Sequence, residues 1–170
     1  GIIHRDIKPE NIMLVADPGA PGRQRVKILD FGVAKLASSN ASKTGASVIM
    51  GTPRYMSPEQ CKGSGQVDDR ADCYSLGVML FEMLSGRLPF LGEGAGELIA
   101  QHMYKEPPSL RDSMENFTPA VAELVDRMLR KTPGERPSMA EVAALFEALL
   151  AESNLSSGQG IGLAELTPKP

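Results

Sequence analysis

An acidic, a basic and an amide side chain stand close together in residues 4–11, which read HRDIKPEN. A further acid, Asp30, follows nineteen residues after Asn11. The carboxylate of Asp6 could accept a proton from a hydroxyl group. The side-chain oxygens of Asn11 and Asp30 suit Mg²⁺, which prefers oxygen ligands together with waters and phosphates. Either acid alone would be a solvated loop carboxylate and Asn11 alone a turn residue, so their combination is what indicates chemistry.

A β-hairpin is expected to position the two oxygen-bearing residues. Residues 12–15 and 26–29 are short apolar runs rich in β-branched side chains, and residues 16–22 between them are rich in turn formers. Asn11 would begin the first strand and Asp30 would end the second. We therefore expect both side chains at the same end of the hairpin.

Helical patterns begin at Asp69. Asp69 and Asp72 are expected to cap a helix that ends at Gly86, where a glycine beyond the last turn is favoured. Its residues 76–84 are apolar nearly all round, which is typical of a helix in the middle of a domain.

Three more helices and two irregular segments complete the expected organisation. Helices are predicted over residues 97–104, after Thr118-Pro119, and after the capping box of Ser138 and Glu141. Residues 37–52 are small, polar and aperiodic, which is typical of a mobile loop. Residues 151–170 are predicted to form a disordered tail or linker.

The composition is that of an ordinary globular protein of 170 residues, with 42% hydrophobic residues and a formal net charge of −3. This charge argues against a nucleic-acid-binding polycation. Cys61 and Cys73 are expected to be free thiols rather than a disulfide or zinc site. No run approaches the roughly 18–20 apolar residues of a membrane span. We expect a cytoplasmic location, with no membrane contact from these residues.

Four motifs follow one another in a characteristic order: HRDIKPEN at 4–11, DFG at 30–32, GTPRYMSPE at 51–59 and DCYSLG at 72–77. In this order and spacing the chain resembles the catalytic part of a bacterial-like, eukaryotic-type protein serine/threonine kinase. The resemblance covers residues 1 to about 150. It implies an α+β protein-kinase-like fold, in which a mainly helical large lobe has a small β-hairpin carrying the metal-binding residues.

The resemblance implies an enzyme that transfers the γ-phosphoryl group of ATP to serine or threonine hydroxyls of proteins, with ATP and Mg²⁺ as cofactors. It makes Asp6 the catalytic base and Lys8 the cation beside the γ-phosphate. It makes Asn11 and Asp30 the metal ligands, and it places Met13 at the floor of the adenine pocket.

Serine/threonine specificity is implied by Lys8 and by Gly51-Thr52-Pro53, where the Thr52 hydroxyl would bridge Asp6 and Lys8. Arg5, directly before the catalytic acid, is typical of kinases controlled by phosphorylation of the activation loop. Thr44 and Ser47 are the preferred phosphorylation sites within 38–52. An unmodified flexible loop is an equal alternative.

Two further inferences concern structural residues. The resemblance pairs Glu59 with Arg136, which would tie the end of the activation segment to the last helices. It makes His4 a structural residue beneath the DFG segment. His102, placed on a polar helix end, has no expected function.

Several kinase parts have no counterpart in these residues: a Gly-rich phosphate loop, a strand lysine paired with a helix glutamate, and a hinge. Gly92–Gly96 is expected to be a surface loop. We therefore interpret the chain as a partial kinase domain whose N-terminal lobe is absent, and whose missing preceding helix would pack against residues 72–84. We expect it to be inactive alone. A parent protein with a membrane anchor beyond Pro170 fits this interpretation.

The alternative interpretation is a pseudokinase or an interaction module. Retention of all four chemical residues, Asp6, Lys8, Asn11 and Asp30, argues against it.

Overall fold

The computed structural model describes residues 2–29, 53–63, 67–112 and 118–156. This part of the chain forms one hairpin and a set of helices. In chain order the strands and α-helices are β1 (Ile12–Ala16), β2 (Gln24–Ile28), α1 (Pro58–Cys61), α2 (Asp69–Ser85), α3 (Ala95–Tyr104), α4 (Pro119–Met128) and α5 (Met139–Ser156). Short 3₁₀-helices cover Pro9–Asn11, Pro21–Arg23, Pro53–Tyr55, Leu110–Asp112 and Pro133–Glu135.

The predicted hairpin is confirmed, with small shifts at its strand ends. β1 and β2 are antiparallel, and Ile12 lies opposite Ile28. The Leu29 N–H donates to the Asn11 carbonyl at 2.8 Å, so the pairing continues one residue beyond the strands. Asp30 lies outside the described residues.

Helix α2 is the central element, as its apolar sequence predicts. It ends at Gly86, whose φ of 72° is in the left-handed region that favours glycine. Its N-terminal cap differs from the expected one. The Asp68 carboxylate accepts from the Arg70 N–H at 3.1 Å, whereas Asp72 turns towards another part of the chain.

The core lies between α2 and α4. Gly77 permits their close approach, because a Cβ atom at this position would lie 2.8 Å from the Cβ of Met128. The main buried cluster consists of Tyr74, Val78, Phe81, Leu110, Ala122, Val125 and Leu129. Both cysteines are free thiols, and the buried Cys73 donates to the Pro137 carbonyl at 3.2 Å.

The remaining helices follow the predicted pattern except at their ends. α3 begins at Ala95, inside the glycine-rich segment that was expected to be a loop. α5 has the predicted capping box, since Ser138 and Glu141 exchange hydrogen bonds of 2.7 and 3.2 Å. α5 continues to Ser156, so residues 151–156 were wrongly assigned to the tail. Once a helix is formed, good formers such as Ala151 and Glu152 extend it without an apolar stripe.

An open apolar groove of about 1150 Å³ lies between the N-terminal segment, the hairpin and one face of α2. Ile3, Ile7, Leu14, Leu76 and Met79 are among its lining residues. The resemblance to kinases implies a preceding helix packed against residues 72–84 of α2, and that packing stays a prediction. None of the helices in the described ranges is both long and apolar enough to cross a bilayer.

Candidate active site

The segment that carries Asp6 is fixed to α2 by one carboxylate. Asp72 accepts from the backbone N–H of His4 at 2.7 Å and from that of Arg5 at 2.8 Å. The prediction that Asp72 caps its own helix was therefore wrong. A carboxylate in the first turn of a helix can accept from the N–H groups of its own helix or from those of a neighbouring segment. Here the donors are 67 and 68 residues away in sequence.

His4 is a structural residue in this arrangement. Its side chain is buried, and Nε2 lies 2.9 Å from the Leu29 carbonyl while Nδ1 lies 3.2 Å from the Asp6 N–H. Because a carbonyl only accepts, Nε2 carries the hydrogen and Nδ1 is the acceptor. The imidazole thus ties the Asp6 segment to the end of β2.

Asp6, Lys8 and Asn11 converge. The Lys8 ammonium lies 2.9 Å from Asp6 Oδ2, and both side chains are about one-third exposed. Asn11 Nδ2 donates to the Asp6 carbonyl at 2.7 Å and to Asp6 Oδ2 at 3.1 Å. The 3₁₀-turn Pro9–Asn11 brings Asn11 back to Asp6, with the Asn11 N–H donating to the Lys8 carbonyl at 3.0 Å. A carboxylate, a cation and an amide therefore share one small site.

The donor set fits a hard cation. Because the Asn11 amide nitrogen donates to Asp6, the amide oxygen is the atom that could bind a metal ion. Amide and carboxylate oxygens are the ligands that Mg²⁺ prefers. Within the described ranges, no group of three His, Cys, Asp or Glu side chains could hold a metal ion.

Met13 lies on β1 opposite Lys27, and its side chain is about half exposed. Successive side chains of a strand point to opposite faces, and its neighbour Leu14 lines the apolar groove. Met13 therefore belongs to the other face of the hairpin. Its place in an adenine pocket stays a prediction.

Tyr55, which precedes α1, is anchored to α2 by two hydrogen bonds that the sequence did not predict. Its hydroxyl donates to Glu82 Oε2 at 2.6 Å, and its carbonyl accepts from the Ser75 hydroxyl at 2.7 Å. Burial raises the pKa of the Tyr55 hydroxyl well above its usual value, and the Glu82 carboxylate adds to this. The available signal was that Ser75 and Glu82 interrupt an otherwise apolar helix.

The predicted partners Glu59 and Arg136 form a bidentate ion pair, with N–O distances of 2.7 and 2.9 Å. The guanidinium also donates to the carbonyls of Arg70, Arg130 and Lys131, so all five of its N–H groups have acceptors. Burial acts to raise the pKa of the Glu59 carboxyl. The hydrogen bonds and charge of Arg136 outweigh burial and hold this pKa below its usual range.

His102 was wrongly placed on a polar helix end. It is fully buried, and its Nδ1 lies 3.0 Å from the Tyr74 hydroxyl. Lys131 Nζ lies 2.8 Å from the His102 carbonyl. Burial, reinforced by the Lys131 charge, lowers the pKa of His102 to about 4. The missed signal was its position four residues after Leu98, on the same buried face of α3.

Four of the predicted site residues, Asp30, Thr44, Ser47 and Thr52, lie outside the described residues. Arg5 is half-buried beside Asp6 and has a left-handed backbone with φ of 65°.

Comparison with known proteins agrees with these motifs. A model of the protein kinase domain matches residues 1–145. The chain is 45% identical over 150 residues to serine/threonine-protein kinase Pkn1 of Myxococcus xanthus, covering 88% of this chain and 21% of that protein. Over 146 residues it is 43% identical to serine/threonine-protein kinase pkn3 of the same organism, covering 83% of this chain and 26% of that protein.

A mycobacterial relative shows the same relation. Serine/threonine-protein kinase PknB of Mycobacterium leprae is 38% identical over 136 residues, covering 80% of this chain and 21% of that protein. The chain thus spans about a fifth to a quarter of the length of these curated relatives. Since the family model matches well over half of the chain, the chain belongs to the protein kinase domain family.

Proposed function

We propose that the protein is an ATP-dependent serine/threonine protein kinase in which residues 4–11 form the catalytic loop. The convergence of Lys8 Nζ and Asn11 Nδ2 on the Asp6 carboxylate, at 2.9 and 3.1 Å, carries this proposal. Membership of the kinase family and similarity to bacterial serine/threonine kinases support it.

In the proposed reaction, a serine or threonine hydroxyl oxygen of a protein substrate bonds to the γ-phosphorus of ATP. The bond between this phosphorus and the oxygen bridging it to the β-phosphorus breaks, and ADP leaves with that oxygen. The hydroxyl proton passes to the carboxylate of Asp6. Catalysis then depends mainly on alignment and charge neutralisation.

Lys8 and Asn11 would serve these two needs. The Lys8 ammonium, already within 2.9 Å of Asp6, would neutralise charge on the transferred phosphoryl group. Asn11 and Asp30 would hold Mg²⁺, which would offset the negative charge of the phosphates. The hairpin would carry both ligands at one end, since Leu29 pairs with Asn11. We assign this hairpin and α1–α5 to the large lobe of the kinase.

The proposal also covers specificity for serine and threonine substrates and regulation by phosphorylation. Thr52 would bridge Asp6 and Lys8 when a serine or threonine substrate is bound. A phosphate on Thr44 or Ser47 would pair with Arg5 and order the activation loop. The cytoplasmic location and the possible membrane anchor of the parent protein stay predictions.

The test is transfer of radiolabelled phosphate from ATP to a protein acceptor by the natural full-length protein. We expect the Asp6→Asn variant to transfer about 10²–10⁴-fold more slowly, with label on serine and threonine in the wild type. Glu123→Gln, the same loss of charge at an exposed position on α4, should keep the wild-type rate. Equal incorporation by wild type and Asp6→Asn would refute the role of Asp6 and favour a pseudokinase or an interaction module.

A further inference from the structure

Gln60 in α1 joins two segments of backbone through one side-chain amide. Its Oε1 accepts from the Ser57 N–H at 3.0 Å, and its Nε2 donates to the Arg5 carbonyl at 2.8 Å. The Gln60 N–H in turn donates to the Ser57 hydroxyl at 3.4 Å. Ser57 and Gln60 therefore form a capping box for α1, while Gln60 also reaches a segment 55 residues away.

The partners fix the orientation of this amide. The Ser57 N–H can only donate and the Arg5 carbonyl can only accept. A flipped amide would place donor against donor and acceptor against acceptor, so the side-chain oxygen must face Ser57 and the nitrogen must face Arg5.

The Arg5 carbonyl belongs to the peptide unit that leads into Asp6. Arg5 is left-handed, with φ of 65°, which is unfavourable for a residue with a side chain. The Arg5 N–H, in the preceding peptide unit, donates to Asp72. The Asp6 N–H, in the same unit as the Arg5 carbonyl, donates to His4 Nδ1. Gln60 makes the other hydrogen bond of the Arg5–Asp6 peptide unit, to its carbonyl oxygen.

The cap alone does not require glutamine. Either Glu or Gln at this position completes a capping box, because only a side-chain oxygen is needed there. A glutamate would satisfy Ser57 but would turn a carboxylate oxygen towards the Arg5 carbonyl. The amide nitrogen is therefore needed for the contact with Arg5 alone.

We propose that Gln60 is a positioning residue for Asp6, whose side-chain amide holds the Arg5–Asp6 peptide unit against α1. This inference rests on the proposed kinase function. α1 also carries Glu59, which Arg136 holds at 2.7 Å. The anchoring of α1 to the C-terminal part of the chain is thereby coupled to the orientation of the catalytic carboxylate.

Gln60→Glu separates the two contacts, since it keeps the acceptor for Ser57 and removes the donor to Arg5. In the full-length protein we expect kcat per folded molecule to fall about tenfold to a hundredfold, with the KM for the protein substrate unchanged. Amide hydrogen exchange at Asp6 should become faster in the same variant. The matched control is Glu141→Gln, the reverse exchange in the Ser138 capping box of α5. We expect this control variant to change neither kcat nor the rate of amide exchange at Asp6.

The outcomes separate this inference from the function on which it rests. If the wild type transfers no phosphate, the proposed function fails, and exchange at Asp6 still tests the contact. If Gln60→Glu lowers only the unfolding midpoint, with wild-type kcat per folded molecule and wild-type exchange at Asp6, Gln60 is a helix cap and the inference is wrong.

Discussion

Glu59 and Arg136, 77 residues apart in the sequence, meet in a bidentate ion pair that is almost completely removed from solvent. The guanidinium also lies over the ring of Tyr74, 4.9 Å from its centroid. One side chain of the turn before α5 therefore holds both α1 and the central helix α2. Removing the acidic partner of this buried guanidinium would be strongly destabilising, because its positive charge would then be uncompensated.

Removing either partner of this pair should be strongly destabilising. We expect Glu59→Ala and Arg136→Ala each to lower the free energy of unfolding by about 3–5 kcal/mol. The double variant should lose clearly less than the sum of the two. Urea unfolding of the four proteins measures this coupling, and additive losses would show that the two charges do not depend on each other.

Local patterns predicted much of this fold because their causes are local. Turn residues between two β-branched runs gave the hairpin, and the glycine at position 86 marked the end of α2. The capping box of Ser138 and Glu141 likewise lies within four residues of sequence. The pairing of Glu59 with Arg136 came instead from the resemblance to kinases.

The errors concern side chains whose partners are distant in sequence. Asp72 has the right type and place to cap α2, and nothing near it shows that its acceptors serve His4 and Arg5. His102 is polar, yet packing of α3 buries it beside Tyr74. The contact of Gln60 with Arg5 was not predicted at all, because it depends on how two segments distant in sequence meet. Tertiary geometry, which composition and periodicity do not encode, decides each case.

The contact between α2 and α4 leads to a prediction about Gly77. Gly77→Ala should lower the free energy of unfolding by about 1–3 kcal/mol, because the new Cβ would lie 2.8 Å from the Cβ of Met128 and the helices must separate. Gly96→Ala is the matched control. Nothing lies within 4 Å of a Cβ at that position of α3, so we expect a gain of about 0.5–1 kcal/mol. Chemical denaturation compares the two variants, and equal effects would contradict the close approach.

Burial of His102 predicts a pH dependence of stability. Its pKa is about 4 in the folded protein and about 6.5 when unfolded, so between these values the unfolded state binds more protons. Stability should therefore fall as the pH falls, by roughly 2 kcal/mol between pH 6.5 and 4.5. The Glu59 pKa lies below its ordinary 4.5, so protonation of Glu59 and loss of its ion pair with Arg136 should occur only at lower pH.

His102→Asn tests this assignment, because it keeps an acceptor for the Tyr74 hydroxyl and removes the titrating ring. Free energies of unfolding measured from pH 7.5 to 4.5 should slope less steeply in the variant than in the wild type. Parallel curves would mean that His102 does not titrate differently in the folded and unfolded states.

Asp72 gives the last prediction, since its two carboxylate oxygens each accept one backbone N–H, from His4 and Arg5, in the proposed catalytic loop. Asp72→Asn leaves one oxygen and turns an NH₂ group towards the other N–H, so either His4 or Arg5 loses its acceptor. Hydrogen bonds to charged groups contribute about 1.5–3 kcal/mol, and we expect a loss of stability in that range. Hydrogen exchange at the His4 and Arg5 amides should accelerate, and the rate of phosphate transfer should fall. Asp69→Asn, the same change on an exposed neighbour in the first turn of α2, should alter stability by no more than about 0.5 kcal/mol. If the two variants behave alike, the charge of Asp72 acts on the dipole of its own helix and does not anchor the loop.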